Sequence, residues 1–153
     1  MGLTCAERLA ELGLVLPPPP APAAAYQPWD TLGDTVYTAG QLPIVDGALL
    51  RTGRLGDPLT TAEGAELAAT AALNLLAVGT AAIGDLERLR VVKLTVFVAS
   101  TPDFTEQHLV ANGASELLAA VLGGHGVHAR SAVGVSALPL GSPVEVEAVL
   151  TRH

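Results

Sequence analysis

The feature that most constrains the fold is an apolar run near the middle of the chain. Residues Leu89 to Val98 are rich in β-branched side chains, and only Arg90, Lys93 and Thr95 interrupt them with polar groups. Such a run predicts a strand buried on both faces, which needs a sheet around it. The chain has 153 residues and is half hydrophobic, which is enough for one domain with a sizeable core.

Two helical segments flank this run. The first extends from Thr60 to about Ile83, is rich in Ala and Leu, and begins with Thr60 and Glu63 in a capping-box pattern. The second extends from Asp103 to about Leu122 and is closed by a pair of glycines. Both are long enough to cover a sheet.

Five further segments are predicted as strands. Alternation, β-branched residues and turn residues mark them, and Asp46-Gly47 is a hairpin turn between two of them. The element order is three strands, helix, strand, helix and two strands, which predicts an α+β fold. We expect a mixed sheet of about six strands with both helices on one face. The five segments are Thr35–Ala39, Ile44–Val45, Ala48–Leu50, Ala129–Ala137 and Val144–Leu150.

The first 25 residues predict an N-terminal helix and a linker. Leu3 to Leu14 reads as a short helix with Thr4 and Glu7 as a capping box. The prolines from Pro17 to Pro20 end it and begin an extended segment. We therefore divide the chain into residues 1–25, the helix and proline-rich linker, and residues 26–153, the main domain.

Alternation along the last two strands predicts what lies on each face of the sheet. One face of each strand suits packing beneath the helices, and the other carries Arg130, Glu145 and Glu147. The central run places Val91 and Phe97 on the face away from the helices, more apolar surface than a solvated face normally holds. We therefore expect a partner subunit to cover it. The residues expected beneath the helices are Ser131, Val133, Val135, Val144, Val146 and Ala148.

Composition excludes several classes of function. The net charge of −7, with only eight Lys and Arg, argues against a nucleic-acid partner. Cys5 is the one cysteine, which excludes an internal disulfide, and it is expected to be a small helix residue rather than a nucleophile. The sequence has no run of about 18 strongly apolar residues, so no membrane helix is predicted. Charged residues at Glu7, Arg8 and Glu11 argue against a signal peptide, so a cytoplasmic protein is expected.

Arg130 is the candidate with the clearest chemistry. Its planar guanidinium matches a carboxylate with two parallel hydrogen bonds. Glu145 and Glu147 could face the same cleft, where one of them would accept or donate a proton. The alternative is that Arg130 simply forms a cross-strand ion pair with one of these glutamates.

Other motifs give weaker indications. His125 and His128 have no acidic or cysteine ligand at metal spacing nearby, so no metal site is predicted. Ser131 follows the arginine, but no His and Asp complete a triad with it. Phosphate loops and dinucleotide fingerprints are absent, and no cofactor is expected.

Several segments between about Tyr26 and Leu150 together resemble a known family. They are Tyr37–Pro43, Lys93–Val98, Asp103-Phe104, Ala129–Ser131, Leu138-Pro139 and Val144–Ala148. With these segments the chain is similar to the Rid family, also called YjgF-like proteins or reactive intermediate deaminases and also labelled endoribonuclease L-PSP. The resemblance implies a chorismate-mutase-like fold and a homotrimer with three clefts between subunits.

The resemblance also implies an activity. Archetypal members hydrolyse enamines and imines such as 2-aminoacrylate to 2-keto acids and ammonia, without a cofactor. Arg130 matches the arginine that holds the substrate carboxylate, and Glu145 matches the glutamate that positions water. Substrate-contacting positions match Gly40 with Ala39, Tyr26 and Asn112.

Two departures from the archetype mark a divergent subgroup. Ala39 stands where serine is common, and Ser115 stands where an aromatic residue is common. The N-terminal helix is an addition that is expected to lie over a cleft or a neighbouring subunit. The alternatives to deamination are a non-catalytic trimer that binds small carboxylates and an RNA-cleaving translation inhibitor.

Overall fold

The computed structural model describes residues 2–21 and 25–153. This part of the chain contains three α-helices and seven strands. The helices are α1 (Cys5–Glu11), α2 (Thr61–Ile83) and α3 (Gln107–Leu122). The strands are β1 (Trp29–Leu32), β2 (Thr35–Thr38), β3 (Ile44–Val45), β4 (Ala48–Leu49), β5 (Leu89–Ala99), β6 (Ala129–Val135) and β7 (Val144–Arg152).

The main sheet has five strands in the order β1-β2-β7-β5-β6. Only the β5–β6 pair is parallel, so the sheet is mixed, as predicted. The apolar run forms β5, an interior strand between β7 and the edge strand β6. The α+β class is confirmed, with α2 and α3 packed on one face of the sheet.

The main sheet has five strands where about six were expected. The hairpin at Asp46-Gly47 forms, with both residues at positive φ (51° and 80°), but β3 and β4 make a separate two-stranded sheet. Asn74 of α2 holds this hairpin by donating to the carbonyl oxygens of Leu42 and Ile44, each at 2.9 Å. Strand β1 was missed because it is a mostly exposed edge strand, which gives little apolar alternation.

Both predicted capping boxes are present. Thr60 and Glu63 cap α2 and Thr4 and Glu7 cap α1, each through reciprocal hydrogen bonds. Gly84 ends α2 with a φ of 90°, a conformation that favours glycine. These local signals predicted the starts of both helices to within two residues.

Helix α2 meets the length and composition criteria for a membrane-crossing helix, contrary to the expectation that no segment would. Its most apolar 18-residue window has a mean hydropathy of 1.5. Of that window, 56% is buried inside the fold, where α2 packs against α3 and the sheet. In this structure α2 is a core helix.

Helix α1 packs on the main domain of its own chain. Cys5 and Leu9 are buried in the common core, and Glu87 accepts a hydrogen bond from the Cys5 amide at 2.7 Å. Burial, followed by the hydrogen bond and charge of Glu87, raises the pKa of the Cys5 thiol to about 11. A buried thiol of this kind is a poor nucleophile, in line with the expected packing role.

The face assigned to β6 from its sequence is wrong. Arg130 pairs with Leu94 in the parallel register, and paired side chains share a face, so Arg130 lies on the helix side. Val133 was expected beneath the helices but is 41% exposed on the other side. The valine face was assigned to the helix side on its apolar content alone. Strand β6 lies at the sheet edge, where α3 supplies polar partners for the other face.

Strand β5 also departs from simple alternation. An irregularity between Val91 and Lys93 moves Val91 to the buried helix side and leaves Val92 45% exposed. On the face away from the helices, Thr95 and Phe97 are half-buried within one chain. The strand is therefore fully buried only on its helix side, and the other face is covered only if a partner subunit packs on it.

Candidate functional site

Arg130 is fixed against helix α3 by three hydrogen bonds. Its Nη1 donates to Asn112 Oδ1 at 2.9 Å and to Ser115 Oγ at 3.1 Å. Its Nη2 donates to the His108 carbonyl oxygen at 3.2 Å. A guanidinium has five N–H donors, so two remain to bind a ligand.

The alternative in which Arg130 forms an ion pair with Glu145 or Glu147 is not seen within one chain. Among residues 2–21 and 25–153, no carboxylate lies within the 4.0 Å ion-pair distance of its guanidinium. Glu145 is on β7, which β5 separates from β6, and it pairs with Phe97, three residues along β5 from Leu94. An odd spacing reverses the face. Arg130 and Glu145 therefore lie on opposite faces of the sheet, not in one cleft of a single chain.

Glu145 lies beside Gly40, two positions that the family resemblance indicated separately. A Cβ atom built on Gly40 would overlap with the Glu145 carboxyl group, so a larger residue at position 40 would force that carboxyl group to move. The Gly40 segment is held in place by a two-way backbone bridge between Gln41 and Val146, at 2.7 and 2.9 Å. The glutamate and the glycine thus form one half of a candidate site.

The environment of Glu145 makes it a better acid or base near neutral pH. Burial raises the pKa of its carboxyl, and the charge of neighbouring Glu147 raises it further. A carboxyl group with a raised pKa is protonated in a larger fraction of molecules, and its ionised form is a stronger base.

The other predicted site residues have different placements. Asn112 lies on α3, where it holds Arg130. Ala39 uses its amide to bond the Pro28 carbonyl at 2.8 Å, next to the Gly40 segment. The Tyr26 side chain is 63% exposed. Asn112 therefore belongs with Arg130, and Ala39 with Gly40.

Sequence reasoning missed two residues beside Arg130. Ser115 Oγ lies 2.9 Å from His128 Nε2, and His128 Nδ1 lies 2.6 Å from the Gly126 carbonyl oxygen. The available signal was that His128 precedes Arg130 by two positions, so strand alternation places both on one face. We find no cluster of three metal-ligating side chains among the described residues.

The structure has one open pocket beside Arg130 and another beside Glu147. One, of about 340 Å³, lies over the end of α3 and the start of β6. The other, of about 210 Å³, lies on the open face of the sheet. The first is lined by Ser115, Glu116, Ala119, Gly126, Val127, His128 and Arg130. The second is lined by Tyr37, Thr38, Lys93, Thr95, Glu147, Ala148 and Val149.

Comparison with known proteins decides the family. Residues 18–151 match the family described as Endoribonuclease L-PSP. The chain belongs to this family. It is the Rid, or YjgF-like, family that the sequence resembles, and the family's fold is the fold seen here.

Individual relatives show where the chain stands within the family. It is 48% identical over 147 residues to Protein TCP17 of Trypanosoma cruzi, covering 95% of this chain and 92% of that protein. A crystal structure from Agrobacterium tumefaciens of unknown function shares 44% identity with a TM-score of 0.89, over 97% of this chain and 92% of the other. RidA from an Antarctic Psychrobacter is 32% identical with a TM-score of 0.59, over 88% and 93% of the two chains.

Proposed function

We propose that this protein hydrolyses reactive enamines and imines of the 2-aminoacrylate type to 2-keto acids and ammonia. The observation that carries the proposal is the state of Arg130. Three hydrogen bonds fix its guanidinium, no carboxylate of the described residues neutralises it, and a pocket lies beside it. A fixed cation with N–H groups to spare fits a small carboxylate.

Glu145 supplies the second function that the reaction needs. Hydrolysis of an imine requires a water molecule to attack the imine carbon and protons to reach the departing nitrogen. A carboxylate of raised pKa beside the Gly40 backbone suits both steps. The imine is intrinsically labile, so positioning of water and substrate supplies much of the acceleration.

Because Arg130 and Glu145 lie on opposite faces of one sheet, a shared site needs two subunits. We infer a homotrimer in which the β6 edge of one protomer meets the open sheet face of the next. The half-exposed apolar groups on that face, such as Phe97 and Val133, favour such burial. The proposed setting is the cytoplasm, and no metal or organic cofactor is invoked.

The test is keto-acid release from an amino acid that an oxidase or a PLP-dependent lyase converts to an imine or enamine. We expect the protein to accelerate release, and Arg130→Ala to lower kcat/KM by about 10- to 100-fold, the loss of a charged hydrogen bond. Arg54→Ala, which removes an exposed arginine, is the matched control. Wild-type activity in Arg130→Ala, with circular dichroism unchanged, would remove the proposal.

A non-catalytic carboxylate-binding trimer is the second candidate. The separation of Glu145 from Arg130 within one chain favours it, since Arg130 and Asn112 alone can hold an anion. Saturable binding of a 2-keto acid by the wild type, without acceleration of imine hydrolysis, would select it. RNA cleavage finds less support, because the net charge of −7 disfavours binding of a phosphate backbone.

A further inference from the structure

The hydroxyl group of Ser115 is used differently from other helical hydroxyls in this protein. In α2, Thr70 and Thr80 donate to the carbonyl oxygens four residues earlier, the usual choice for a helical hydroxyl. Ser115 Oγ instead lies 2.9 Å from the ring nitrogen Nε2 of His128, at the start of the neighbouring strand. Its proton is therefore directed at a base and not at the helix backbone.

The backbone fixes which nitrogen of His128 is basic. Nδ1 lies 2.6 Å from the Gly126 carbonyl oxygen, and a carbonyl oxygen only accepts. Nδ1 therefore carries the proton, and the lone pair of the neutral ring is on Nε2, facing Ser115. In covalent catalysis the nucleophile is typically hydrogen-bonded to a base, and a third group orients that base.

Arg130 places its cationic guanidinium beside the same oxygen. Its Nη1 donates to Ser115 Oγ at 3.1 Å, which favours the charged form of the serine over the neutral form. The pocket of about 340 Å³ opens directly on Ser115, His128 and Arg130. Its wall includes the 68% exposed side chain of Val127, which offers an apolar surface to an acyl chain.

We propose that Ser115 and His128 form a nucleophilic dyad that cleaves small carboxylic esters in the Arg130 pocket, a reaction different from imine hydrolysis. Ser115 Oγ forms a bond to the acyl carbon and gives its proton to His128 Nε2. The bond from the acyl carbon to the alcohol oxygen breaks, and the alcohol leaves with that proton. Water then attacks the acyl carbon, His128 takes its proton, and Ser115 Oγ leaves reprotonated. The spare N–H groups of Arg130 stabilise the negative oxygen in both steps.

A fluorophosphonate probe tests this inference on the whole protein. Attack by Ser115 forms an oxygen–phosphorus bond and releases fluoride, so the adduct is located by peptide mass spectrometry. We expect one adduct, on Ser115, and at least a tenfold slower reaction in Ser115→Ala and His128→Gln. Ser136→Ala, which removes an exposed hydroxyl outside the pocket, should react like the wild type.

The same variants are then compared in hydrolysis of p-nitrophenyl butyrate. We expect the wild type and Ser136→Ala to show a burst of nitrophenol, and both dyad variants to lose it. Thermal melting of each variant tests whether it is folded. Ser115→Ala is expected to fold, since alanine is well tolerated within a helix. No adduct on Ser115 of the folded wild type, or an adduct that forms at the same rate in folded His128→Gln, would overturn the inference.

Discussion

Substitution of Gly40 by alanine is the sharpest perturbation of the Glu145 half-site. The added Cβ would lie 2.6 Å from Glu145 Cδ and 2.8 Å from its Cγ, whereas non-bonded carbons settle at about 3.5–4.0 Å. The Gly40 segment cannot retreat easily, because Gln41 and Val146 hold it with two backbone hydrogen bonds. The flexible glutamate must therefore move its carboxyl group by roughly 1 Å.

A displacement of about 1 Å in a catalytic group costs about 100-fold in rate. We therefore expect Gly40→Ala to lower kcat/KM for imine hydrolysis by about two orders of magnitude, while the free energy of unfolding in urea changes by less than about 1 kcal/mol. Gly124→Ala is the control, because nothing lies within 4 Å of a Cβ built there. Unchanged kinetics in Gly40→Ala would refute the role given to Glu145.

Three further predictions address packing, thiol reactivity and proton transfer. Gly113→Ala drives its Cβ into the Ala65 backbone carbonyl between α3 and α2, so it should lower the free energy of unfolding by about 1–3 kcal/mol; an unchanged urea midpoint would contradict this packing. Cys5, with its pKa raised to about 11, should react with a disulfide reagent far more slowly in the native protein than in urea, and equal rates would show that it is not buried. Because the Glu147 charge raises the pKa of Glu145, Glu147→Gln should move the acidic limb of the pH–activity profile to lower pH, and a shift to higher pH would exclude this coupling.

Local sequence signals predicted α1, α2 and the interior strand β5 well. The capping boxes at Thr4 and Thr60 fixed where α1 and α2 begin, since a hydroxyl and a carboxylate three residues apart satisfy free amides within one turn. The apolar run identified β5, because its residues need burial whatever surrounds them. These features depend on neighbours in sequence.

The site was less predictable because it depends on contacts between distant segments. Alternation alone placed Arg130 with Glu145, but the parallel register of β6 and the intervening strand put them on opposite faces. The partnership of Ser115 with His128 joins a helix to a strand edge, and no spacing pattern predicts it. The family resemblance indicated Gly40 and Glu145 as separate site positions, and the contact between them became visible only in the structure.

The central claim is that Arg130 of one subunit and Glu145 of another form a single site. Its most direct test is co-expression of Arg130→Ala with Glu145→Gln, each impaired at least tenfold when expressed alone, followed by the imine-hydrolysis assay on mixed oligomers. In a closed ring with random mixing, about a quarter of the interfaces combine one intact arginine with one intact glutamate. We predict recovery of about a quarter of wild-type activity on that basis. Mixed oligomers that stay as inactive as either variant alone would contradict a site shared between subunits.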